Sequence, residues 1–112
     1  MSIMEKAEIL GQEIANSSEY EELVDAEQIM YQDEEAKDIL DDFQSVQKRI
    51  QMAQANGQQP GASQQQKLQS LQSQMQENEK IKDYMEAQKQ FNEVMKTVND
   101  VITSQLQEKS DQ

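Results

Sequence analysis

The chain has 112 residues, 35% of them apolar, with no cysteine, no histidine and a formal net charge of −12. Lacking thiols and imidazoles, it has no disulfide, zinc–thiolate or iron–sulfur ligand, no thiol nucleophile and no histidine general base. A single-domain length with two Phe, three Tyr and no Trp leaves a thin core for a compact monomer, which excludes an ordinary aromatic-rich globule.

Such a composition suits either disorder or long helices that bury a narrow stripe against a partner. Regular apolar spacing selects the helices. The charge is uneven. Residues 1–42 carry 14 Asp and Glu against Lys6 and Lys37, so the whole of the −12 sits there, and residues 43–112 are neutral. That segment repels nucleic acid and anionic membranes, which need clustered Lys and Arg, and attracts a basic protein surface. No apolar run approaches the roughly 18 residues of a membrane span, and Glu5 and Glu8 interrupt the start where a signal peptide needs apolar residues. The expectation is a cytoplasmic protein without membrane insertion.

Ile3, Ala7, Leu10 and Ile14 step by four, three and four, which predicts a helix over about 2–16. "NSSEYEEL" ends it and starts another over about 18–31. Ser18 with Glu21 reads as a capping box, worth about 1 kcal/mol through the serine. Glu19, Glu21 and Glu22 then lie in a first turn that favours negative charge.

"YQDEEAKDILDDF" brings six carboxylates together: Asp33, Glu34, Glu35, Asp38, Asp41 and Asp42. Asp33 reads as an N-cap and Glu34 and Glu35 as first-turn residues. Ala36, Ile39, Leu40, Phe43, Val46, Ile50 and Ala53 form an apolar stripe, with Asp38, Asp41 and Asp42 off it. The stretch lacks the Glu-x-x-His pairs of a bundle metal site and the Asp-x-Asp-x-Asp-Gly loop of an EF-hand. It is a capped, solvated helix start, over about 34–55. With no Gly-rich phosphate loop and no inward carboxylate pair either, no catalytic residue, metal ligand or cofactor is assigned, and the chain is read as a non-enzyme.

"NGQQPGAS" (56–63) breaks the chain: Asn56-Gly57 suits a left-handed helix end and Pro60-Gly61 forbids continuation. Ser63 is the expected cap of a helix over about 63–76. Residues 44–76 hold 13 Gln, but Val46, Ile50, Leu68, Leu71 and Met75 keep helical spacing through them. Asn78 is the expected cap of a last helix over about 79–108. There Ile81, Tyr84, Gln88, Phe91, Met95, Val98, Ile102 and Gln105 alternate steps of three and four as a heptad seam. Lys82, Glu86, Lys89, Glu93, Lys96 and Asp100 alternate in sign on the opposite side, at ion-pair spacing. The interleaved carboxylates argue against RNA contact through those lysines. No stretch alternates as a strand does. Helices of roughly 33 and 45 Å cannot both be covered by so short a chain, which predicts a helical hairpin meeting a second copy.

Ala7, Leu10, Ile14, Ser17/Ser18, Glu19 and Tyr20 ("A-x-x-L-x-x-x-I-x-x-S-x-E-Y"), Asp33 to Ala36 ("D-x-E-A"), Phe43, the mid-chain Gly/Pro break, and Asn78, Ile81, Tyr84 and Ala87 ("N-x-x-I-x-x-Y-x-x-A") together resemble the YlbF/YmcA family of Firmicute bacteria, over nearly the whole chain. The resemblance implies an all-helical, dimer-forming cytoplasmic regulatory protein without catalytic activity. Its relatives are linked to competence, sporulation and biofilm development, and some assemble into a complex that influences messenger-RNA processing. Some carry cysteines and are associated with iron–sulfur clusters; this chain has no cysteine to carry that role.

These readings converge on an all-α fold: a long antiparallel helical hairpin with shorter N-terminal helices, in a single domain over 1–112. The expected function is a regulatory adaptor that binds itself, as a dimer or higher oligomer, and another protein, family paralogues among the candidates. The expected self-association seam is Phe91, Met95, Val98 and Ile102. The expected surface for a basic partner is Glu19, Glu21, Glu22, Asp25 and Glu27. The alternative is a structural or chaperone-like coiled-coil module with no dedicated regulatory partner.

Overall fold

The computed structural model describes residues 1–111. They form α1 (Ile3–Ala15), α2 (Ser18–Gln32), α3 (Glu34–Ala55), α4 (Ala62–Glu77) and α5 (Glu79–Ser110), with no strand among them. α3 packs against α4 as an antiparallel hairpin, and the 32 residues of α5 extend roughly 48 Å. The chain divides into two compact units. The first is Met1–Ala26 together with the chain from Met85 onward, and the second is Glu27–Tyr84.

Local chemistry sets the helix ends, and two caps differ from the expected ones. Ser17, not Ser18, caps α2: its hydroxyl accepts from the Tyr20 N–H (3.2 Å) and donates to the Ile14 carbonyl (2.6 Å). One hydroxyl thereby satisfies orphan groups at the end of α1 and the start of α2, which Ser18 is one residue too late to do. The third helical position is then Tyr20, so Glu21 closes no capping box and the Ser18 hydroxyl turns to Glu19 (3.3 Å). Likewise Gly61, not Ser63, precedes α4. Its carbonyl accepts from the N–H groups of Gln64 and Gln65, and no side chain caps that helix. Leaving Pro60, the chain is extended at Gly61 and turns helical at once, which places Ser63 inside the first turn.

The remaining ends agree with expectation. The Asp33 carboxylate accepts from the Ala36 N–H (2.9 Å), and the Asn78 side chain from the Ile81 N–H (3.1 Å). α3 stops in a Schellman turn: Gln58 donates to the Ala53 carbonyl and Gly57 to that of Gln54, with Gly57 at φ +75°. A side chain at Gly57 would meet no neighbour, so the requirement there is purely a backbone one.

Among the described residues, the seven buried side chains all belong to the second unit. Met30, Ala36, Ile39, Leu40, Val46, Leu71 and Ile81 form one cluster, with Phe43, Ile50, Leu68, Met75 and Tyr84 packed around it. The stripe read on α3 is this core, at about 1.5–3 kcal/mol for each large aliphatic side chain withdrawn from water. Asp38, Asp41 and Asp42 are exposed. Among the described residues no polar or charged side chain is buried.

Among the described residues of the first unit no side chain is buried. Leu10, Ile14, Tyr20, Leu23, Val24, Phe91, Val94, Met95 and Val98 are half-buried, while Ile3 (82%) and Leu106 (68%) lie open to solvent. Among the described residues the alternating charged row on α5 makes no ion pair, and the one ion pair is Lys80–Asp33 (3.1 Å). Long exposed side chains lose as much entropy as they gain in attraction when held together.

Candidate interaction surface

In the second unit the perturbed groups are structural. The Ala36 N–H, and then the Lys80 ammonium, hold the Asp33 carboxyl below its usual range. Partial burial, then Glu27 and Tyr31, push the Tyr84 hydroxyl above its usual value. Glu35, Asp38 and Asp42 on α3 line, with Glu77, an open groove of about 420 Å³. No group of three such side chains among the described residues is placed to hold a metal ion.

The first unit carries the residues that sequence singled out for binding. The Tyr20 ring from α2 lies against Phe91 from α5, centroids 5.2 Å apart and planes tilted by 54°. This is a favourable aromatic geometry, and it engages Phe91 within the chain. Met95 and Val98 are half-buried, and Ile102 is 48% exposed. Val101 and Leu106 on α5 and Ile3 and Met4 on α1 are exposed as well.

The acidic surface is also resolved into parts. Glu21 and Asp25, four residues apart, line a groove of about 450 Å³ with Ala15, Tyr20 and Val24. Glu19 is half-buried and Glu22 exposed, and neither lines that groove; Glu27 falls in the second unit. Tyr20 and Val24 supply an apolar wall, and the two carboxylates a negative rim. The contribution of Ala15 and Val24 was missed from sequence. The available signal was the pairing of Tyr20/Val24 with Glu21/Asp25, two adjacent pairs at one-turn spacing. No helix among the described residues is long and apolar enough to cross a membrane.

The architecture is that of an all-helical protein in which the α3–α4 hairpin makes a core with Met30 of α2 and Ile81 of α5, and in which the first unit leaves apolar and acidic surface uncovered. The chain belongs to the YlbF/YmcA family: the sequence profile described as "Control of competence regulator ComK, YlbF/YmcA" matches residues 3–107. A UPF0342 protein of Desulfitobacterium hafniense (strain Y51) is 47% identical over 57 residues, which are 51% of this chain and 44% of that relative. The match therefore spans under half the relative's length. Among solved structures, the crystal structure of Bacillus subtilis RicA in complex with RicF shares the fold, with a TM-score of 0.76 over 95% of this chain and 94% of that one at 19% identity.

Proposed function

We propose that this protein is a non-catalytic regulatory adaptor of the cytoplasm that acts by binding other proteins. One observation carries the reading: among its described residues the first unit buries no side chain, yet it exposes Ile3, Met4, Val101, Ile102 and Leu106. Apolar surface of that kind, rimmed by polar residues, is the ordinary mark of a protein contact. The seam from Phe91 through Met95 and Val98 to Ile102 serves self-association into a dimer or higher oligomer, with its open end beyond Val98 as the contact. The acidic face of α2 takes a basic partner protein, attracted by the charge of residues 1–42. RicA, which shares the fold, was crystallised with a second protein, RicF, and family membership supports a place in a heteromeric complex that affects RNA processing and developmental regulation.

The test combines light scattering with affinity capture from the host cytoplasm at low and high salt. Self-association at micromolar concentration, abolished by Ile102→Lys with Leu106→Lys, and capture of a defined basic partner that weakens as salt rises are the expected results. A monomer that captures nothing sinks the proposal. Capture of many unrelated unfolded clients, indifferent to charge reversal at Glu19, Glu21, Glu22, Asp25 and Glu27, points to the chaperone-like module instead.

A further inference from the structure

We propose that the groove between the end of α1 and the first turns of α2 is an anchor site for a single arginine side chain of a basic partner protein. This narrows the adaptor reading and rests on it. Three features converge on that occupant. The groove, about 450 Å³, is walled by Tyr20 and Val24, which suit an aliphatic stem, and edged by Glu21 and Asp25, which suit a cationic head. Neither carboxylate makes an ion pair among the described residues, where the one ion pair is Lys80–Asp33. Tyr20 is held in place, its N–H bonded to Ser17 and its ring set against Phe91, so the wall exists before a ligand arrives.

Arginine fits this combination better than lysine. Its planar guanidinium presents a fork of donors to two carboxylates one helical turn apart. It is more weakly hydrated than an ammonium and stacks on aromatic rings. A second copy of this chain is the poorer source. It has one arginine, Arg49, and brings its own −12 against the −12 already present. A basic partner meets the opposite sign and gains in encounter rate.

The probe is a fluorescent helix-forming peptide of alanine, glutamine and leucine with one central arginine, compared with the same peptide carrying glutamine there. Anisotropy gives affinity, and amide chemical shifts of the full chain give location. The arginine peptide is expected to bind, to move the resonances of Ala15, Tyr20 and Val24, and to bind at least tenfold more weakly to Glu21→Gln with Asp25→Asn. Glu5→Gln with Glu8→Gln makes the same charge change outside the groove and is expected to cost less than twofold. Absent binding, equal binding of the glutamine peptide, equal losses in both variants, or shifts centred elsewhere each overturn the proposal. Loss of self-association in Arg49→Gln overturns it too, by making a second copy the occupant. If the peptide arm fails while Ile102→Lys with Leu106→Lys still dissolves the complexes, the anchor falls and the adaptor stands. If neither variant changes any complex, both fall.

Discussion

In the second unit, Ile39, Leu40 and Val46 of α3 and Leu71 of α4 are withdrawn from water. In the first, Phe91, Met95 and Val98 of α5 step by four and three, as Ile39, Phe43 and Val46 do on α3, yet stay half exposed. The two stripes are of similar apolarity, and what separates them is the partner. α3 has α4 folded back on it by the six-residue link from Asn56 to Gly61, whereas the far end of α5 keeps its apolar line uncovered. Helical periodicity states which face seeks cover; the chain's turns decide whether cover is supplied from within.

The sharpest way to break this contrast is to cut a methyl-rich side chain from each side of it. Ile81→Ala, at a fully buried position, is expected to cost about 2–5 kcal/mol in urea unfolding. Ile102→Ala is expected to stay within about 0.5 kcal/mol in the isolated monomer. Equal losses would mean that the first unit has a core of its own. The next effect is local. Ser17→Ala removes the hydroxyl that joins α1 to α2 and should lower the opening free energy of those turns by roughly 1 kcal/mol in native-state hydrogen exchange. Ser18→Ala should change it by less than about 0.5 kcal/mol.

Smaller again is Gly11→Ala on α1. Nothing lies within 4 Å of the added methyl, so helix propensity alone acts, favouring α1 by up to about 1 kcal/mol. The gain should appear as slower amide exchange in α1, with the urea midpoint nearly unchanged; a rise in that midpoint would show α1 to be part of the cooperative core. The smallest effect concerns acid. Asp33 has a folded pKa below its ordinary value of 3.8. Its contribution is therefore present above that value and lost as pH falls through the folded one. Asp33→Asn keeps a capping side chain without the charge, and should make the thermal midpoint less sensitive to acid below about pH 4. Lys80→Gln should reproduce part of that change.

Much of this was legible in the sequence. The helix starts at Glu34 and Glu79, the stripe on α3, the Gly57 stop and the solvated position of Asp38, Asp41 and Asp42 result from side-chain chemistry within a few residues. Tandem serines defeated the same logic at α2. Both Ser17 and Ser18 are able to cap, and the deciding group, the Ile14 carbonyl, belongs to the preceding helix. Ser63 misled for the converse reason, since the backbone after Pro60 starts α4 without a side chain. The acidic surface was legible as charge and not as shape. Glu21 and Asp25 differ from Glu19, Glu22 and Glu27 only in the neighbours that folding gives them.

Asn78 separates α4 from α5 as a lone extended residue, φ −87° and ψ 117°. Each residue added to a continuous helix rotates the downstream chain by roughly 100°, so this single interruption sets the phase in which Ile81 re-enters the cluster that holds Leu71. Adding or deleting one residue there would swing Ile81 away and replace it in the cluster with its neighbours Lys80 or Lys82. The link at Gln58–Gln59, exposed and outside any helix, carries no such phase. Across homologues, gaps in an alignment should therefore gather at the tip of the hairpin and be absent from Asn78, although both are breaks between helices.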